Sequence, residues 1–115
     1  DGSGHAAVGT LFPQAWIEQA TGPVRMDELL GCGWRLLLQT GADAAFAQAA
    51  SSAQPGLRLR VQSLDAPGFQ ESSGVLASWF ERMGCQAALV RPDHYVYGAF
   101  NTAQDLKAAL LALEL

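Results

Sequence analysis

The sequence predicts an α/β domain built on a four-stranded mixed sheet. Three observations predict it: a nearly continuous apolar run at 34–39, strict alternation over Leu57, Leu59 and Val61, and apolar stripes at helical spacing elsewhere. Residues 1–10, opening Asp1-Gly2-Ser3-Gly4-His5, are glycine-rich with no apolar period and read as a linker ahead of a domain over 11–115. Residues 11–33 read as an irregular N-terminal extension, punctuated by Pro13, Gly22-Pro23 and Gly31. Within it Asp27-Glu28-Leu29-Leu30 makes one helical turn, capped by Asp27 and stopped by Gly31.

The run 34–39, Trp-Arg-Leu-Leu-Leu-Gln, is too short for a stable helix and suits a central strand covered on both faces. Thr40-Gly41-Ala42-Asp43 resembles a capping box, with Asp43 in place of the usual Glu. An alanine-rich helix around Phe46 follows, to about Ser52. Leu57, Leu59 and Val61 alternate with Arg58, Arg60 and Gln62, so 57–64 is a strand near a sheet edge. Val75, Leu76, Trp79, Phe80 and Met83 form the apolar stripe of a helix over 73–83, ended by Gly84. Strand 87–90, the turn Arg91-Pro92-Asp93-His94 and strand 95–99 come next. Thr102 caps a last helix that buries Leu106, Ala109, Leu110 and Leu113. A strand–helix–strand unit joined through a helix to a hairpin and a helix is the thioredoxin-like arrangement. Right-handed crossover sets the strand order 57–64, 34–39, 87–90, 95–99.

Composition narrows the function classes. At 115 residues, with 50% hydrophobic and 16% charged side chains, the chain is one globular domain with a packed core. Seven basic against eleven acidic side chains leave a net charge of -4, with Lys107 the single lysine, which excludes a nucleic-acid face. No apolar run reaches the roughly 18–20 residues of a membrane span. Two cysteines make neither a disulfide scaffold nor a tetrahedral zinc site. The chain opens on Asp1 without a signal-peptide pattern, so a domain of a longer polypeptide is expected.

Three segments occur in order: Gly9-Thr10-Leu11-Phe12-Pro13-Gln14-Ala15-Trp16-Ile17, then Asp27-Glu28-Leu29-Leu30-Gly31-Cys32-Gly33-Trp34-Arg35-Leu36-Leu37, then Val90-Arg91-Pro92-Asp93-His94-Tyr95-Val96. Together they resemble the C-terminal domain of single-component FAD-dependent aromatic hydroxylases, such as phenol hydroxylase, polyketide hydroxylases and 3-(3-hydroxyphenyl)propionate hydroxylase. The resemblance covers about residues 9–114, and Arg-Pro-Asp-x-Tyr-Val is its most specific part. It implies a thioredoxin-like domain that follows the flavin and substrate domains and carries none of the catalytic equipment. FAD and NAD(P)H are implied for the parent, which would hydroxylate a phenolic ring in the cytoplasm. The family's structural motif falls on Pro13, Trp16, Asp27, Gly31, Arg91, Pro92, Asp93 and Tyr95. The implied partners are the catalytic domains of the parent, with a second copy as the other candidate.

No catalytic, cofactor-binding or metal-binding residue is assigned to this chain itself. Neither Gly2-Ser3-Gly4 nor Gly31-Cys32-Gly33 follows a strand and opens a long helix, and neither has the third glycine of a dinucleotide turn. A thiol oxidoreductase needs paired thiols at a helix N-terminus; that place reads Thr40-Gly41-Ala42-Asp43, and Cys32 and Cys85 form no C-x-x-C. A Cys32–Cys85 disulfide stays open from sequence, although a cytosolic oxygenase would not normally hold one. Asp93 and His94 read as turn residues, His5 as part of the loose end, and Arg58 and Arg60 as a solvated strand face. Arg91 is expected to make an ion pair or a backbone contact. Trp34, Trp79, Phe80, Tyr95 and Tyr97 are expected in the core, and Trp16 against a neighbouring domain or subunit. The alternative function is a free-standing thioredoxin-like binding or dimerisation module without redox activity.

Overall fold

The computed structural model describes residues 8–19, 21–26, 33–53, 59–67, 69–71 and 74–113. In chain order they form β1 (Trp16–Gln19), β2 (Gly22–Arg25), β3 (Arg35–Leu38), α1 (Ala45–Ala53), β4 (Arg60–Ser63), α2 (Val75–Met83), β5 (Ala87–Val90), β6 (Val96–Phe100) and α3 (Ala103–Ala112). Four strands join in one sheet in the order β4-β3-β5-β6, as the sequence predicts. β3 and β4 are parallel, while β5 runs antiparallel to both of its neighbours. The parallel pair is joined through α1, because parallel neighbours require a crossover.

Strands β3 and β5 are buried at every position, which is why their sequences are continuous rather than alternating. The two-residue side-chain period divides the core into layers. Leu37 packs on one side with Phe69, Leu76, Trp79 and Phe80. Leu36 and Leu38 pack on the other with Phe46, Leu106 and Leu110. β4 is exposed or half-buried throughout, as an edge strand should be.

Helix ends follow local chemistry. Gly84 takes φ 67°, a left-handed conformation that glycine adopts without a Cβ penalty, and its N–H donates to the Phe80 carbonyl. The Thr102 hydroxyl accepts from the Asp105 N–H at 3.2 Å. At α1 the expected box is corrected: Asp43, not Thr40, is the cap, its Oδ1 accepting from the Ala45 N–H at 2.9 Å. Among the described residues no helix is long and apolar enough to cross a membrane.

The reading of 11–33 as irregular is also corrected. β1 and β2 form an antiparallel hairpin with Ile17 opposite Val24. Ile17 and Met26 are buried, and the Glu18 N–H donates to the Gln70 carbonyl at 2.7 Å, so the hairpin is fastened to the core. Gly22-Pro23 masked it, because both residue types read as strand breakers; in a two-stranded sheet β2 pairs on one side only and tolerates proline. Strand 95–99 begins one residue later, at Val96, and Tyr95 is 43% exposed rather than in the core. It sits at the end of the turn, bridged to the exposed Leu11. Tyr97 is half-buried: the β5–β6 register shifts beside it, and its ring meets Trp34 edge-on at 5.3 Å. Residues 1–7, Asp27, Gly31, Cys32 and Arg58 lie outside the described residues.

Candidate functional site

The most specific motif in the sequence folds as the turn between β5 and β6. The His94 N–H donates to the Arg91 carbonyl at 2.9 Å, closing a four-residue turn with Pro92 and Asp93 at its centre. Arg91 and Asp93 pair at 2.8 Å with both side chains half-exposed, so of the ion pair and the backbone contact expected for Arg91 its side chain makes the first. Asp93 Oδ1 also accepts from the Tyr95 N–H at 3.3 Å. His94 takes φ 73°, the left-handed region that a β-carbon disfavours.

Beneath the turn lies Arg35, only 1% exposed. It stands on β3 directly opposite Val90, the residue before the turn, and so its side chain reaches Arg91 and His94. Its Nε donates to the Gly33 carbonyl at 3.1 Å, and its Nη2 donates to the Arg91 carbonyl at 2.9 Å. The same Nη2 lies 3.1 Å from His94 Nδ1. A guanidinium carries donors only, so Nδ1 is the acceptor. The sequence reading missed Arg35 because it counted the residue within an apolar run. The signal was present: a charge inside a strand covered on both faces must be buried, and a buried charge demands partners.

The N-terminal segment joins the same cluster. The Phe12 N–H donates to the His94 carbonyl at 2.8 Å, and Leu11 bridges antiparallel to Tyr95. Pro13 follows Phe12, whose ring packs edge-on against Trp79 at 4.8 Å. The fold thus sets Arg91, Pro92, Asp93 and Tyr95 in one turn whose Arg91 and His94 touch Arg35. Trp16 stands apart on the hairpin, its ring 5.8 Å from the Arg25 guanidinium carbon.

The polar side chains of this cluster bond to one another. Arg91 and Asp93 are spent on each other, and His94 on Arg35. Among the described residues no group of three or more His, Cys, Asp or Glu could hold a metal ion. Cys85 is a buried free thiol that burial pushes up to about 11, so it stays protonated at neutral pH and is a poor nucleophile.

A flavin dinucleotide needs helix N-terminal amides open to its pyrophosphate. Here those amides are taken by the chain's own side chains. Asp43 holds the Ala45 N–H on α1, and Asp65 Oδ2 accepts from the Gly41 N–H at 3.2 Å in the loop before it. Both Glu71 oxygens accept from the Leu76 N–H on α2, each at 2.9 Å. Carboxylates at these places repel phosphate. The N-termini of α1 and α2 do not fit the pyrophosphate of FAD.

Comparisons with known proteins agree with the motif. The family model of the HcaD C-terminal domain matches residues 9–114. A probable NADH-specific resorcinol 4-hydroxylase of Rhodococcus jostii (strain RHA1) is 31% identical over 114 residues, covering 93% of this chain and 21% of that protein. The structure of aklavinone-11 hydroxylase with FAD and aklavinone superposes with a TM-score of 0.65 at 25% identity, covering 87% of this chain and 20% of that one. The flavin-dependent monooxygenase PieE shares the fold, with a TM-score of 0.69 at 24% identity over 91% of this chain and 19% of its own. The chain therefore spans about a fifth of the length of the proteins it matches. Since the family match runs through nearly every residue, including the turn pinned by Arg35, the chain belongs to the HcaD C-terminal domain family.

Proposed function

We propose that this chain is the non-catalytic C-terminal domain of an FAD-dependent aromatic-ring hydroxylase, and that its work is docking onto the catalytic part or joining subunits. One observation carries the reading: 93% of the chain aligns with 21% of a resorcinol hydroxylase. The chain's own carboxylates at the N-termini of α1 and α2 support it, because a flavin pyrophosphate would meet like charge there. FAD, reduced by NADH or NADPH, would supply the oxidative chemistry there, in the cytoplasm.

The test is to purify the complete polypeptide that carries these residues, with and without residues 9–114. FAD is expected on both forms, with a lower melting temperature or a smaller subunit assembly after truncation. The 115-residue chain is expected to be colourless. Flavin bound to the 115-residue chain, or a gene that starts near Asp1, would overturn the reading in favour of a free-standing module.

A further inference from the structure

We infer that the outward face of the β1–β2 hairpin, centred on Trp16 and Arg25, is where this domain meets the flavin-bearing remainder of its hydroxylase. The inference rests on the proposed function and names the surface that does the docking.

Trp16 stands opposite Arg25 in the hairpin register, with the guanidinium within cation–π range of the indole. Trp16 is 48% exposed, whereas the next residue, Ile17, is fully buried, as is Met26 after Arg25. Buried neighbours on both strands, and the Glu18 N–H bond to Gln70, hold the hairpin against the core. The indole is therefore displayed from a rigid support, and little ordering remains to oppose binding. Tryptophan and arginine are the side chains most concentrated at interface hot spots.

The proteins that match this chain are about five times its length, which gives the domain a large covalently attached neighbour. A tether raises the effective concentration of that neighbour, so a small contact suffices. The chemistry required of it is an apolar slot for the indole with a carboxylate or carbonyl acceptor beside Arg25. Glu18 and Pro23 are exposed on the same hairpin and supply a mixed rim. Two copies of this chain would instead bring together two bodies of net charge -4.

In the complete polypeptide, hydroxyl-radical footprinting should find Trp16 at least about tenfold less reactive than in the 115-residue chain. Leu111, exposed on α3, should react equally in both forms. Trp16→Ala and, separately, Arg25→Ala should raise deuterium exchange across residues 16–25 of the complete polypeptide by roughly thirtyfold, and Leu111→Ala should not. Equal Trp16 reactivity in the two forms, or unchanged exchange in both variants, overturns the docking face; FAD on the same polypeptide would leave the hydroxylase reading standing. A complete polypeptide without FAD overturns both. Protection that disappears on dilution together with a dimer mass assigns the face to a second copy and overturns the proposal.

Discussion

Arg35 Nη2 lies 3.1 Å from His94 Nδ1, joining the most buried charged side chain of the sheet to a turn residue fifty-nine positions later. This contact and the bonds to the Gly33 and Arg91 carbonyls make one guanidinium the support of the whole Arg91–Tyr95 turn. Arg35→Met should remove charge-assisted hydrogen bonds and leave the part-buried Gly33 and Arg91 carbonyls without this donor, at a cost of about 2–4 kcal/mol. Arg35→Lys should recover little, because an ammonium cannot span the fork. Urea melts of the three proteins check this; a lysine variant as stable as the parent would show that charge alone suffices.

His94 carries the one positive φ found on a non-glycine residue among those described. Two substitutions separate backbone strain from the ring contact. His94→Gly and His94→Ala both lose the bond to Arg35, but alanine keeps a β-carbon in the left-handed region. The glycine variant should therefore be more stable by about 0.5–1 kcal/mol, despite glycine's greater freedom in the unfolded chain. Equal melting of the two would mean that the turn relaxes to negative φ once the ring is gone.

Asp65 gives the loop before α1 an acid dependence. Its carboxyl lies below the ordinary value of 3.8, first because the Ser63 hydroxyl donates to it and second because the Gly41 N–H does. A depressed folded value means stabilisation that is complete above the unfolded value and is lost as pH falls through the folded one. Asp65→Asn should thus melt below the parent protein at pH 6, and the two curves should converge in strong acid. A gap that stays constant with pH would show that the charge contributes nothing.

Trp79 lies on the buried face of α2, in the same core layer as Ile17 and Met26. It is buried between Phe12, at 4.8 Å, and Phe80, at 5.1 Å, both edge-on. Trp79→Ala should cost about 3–5 kcal/mol. An unchanged denaturation midpoint would remove Trp79 from the core.

Much of the sheet was legible. The runs that became β3 and β5 are continuous because both faces are covered, and the segment that became β4 alternates because it is an edge. Gly84 and Thr102 end and begin helices through conformations and hydrogen bonds that operate within a single turn. The hairpin was not legible, because Gly22-Pro23 speaks against a strand locally and only packing of Ile17 and Met26 on the core overrides that.

The candidate site divides along the same line. The order of amino acids by itself determined the strand order, the turn at Arg91-Pro92-Asp93-His94 and the family, since each depends on neighbours in the chain or on periodicity. Tertiary structure alone decided that Arg35 is buried beneath that turn and that Leu11 and Tyr95 meet. Those contacts join residues distant in sequence, and distance along the chain leaves no periodic trace to read.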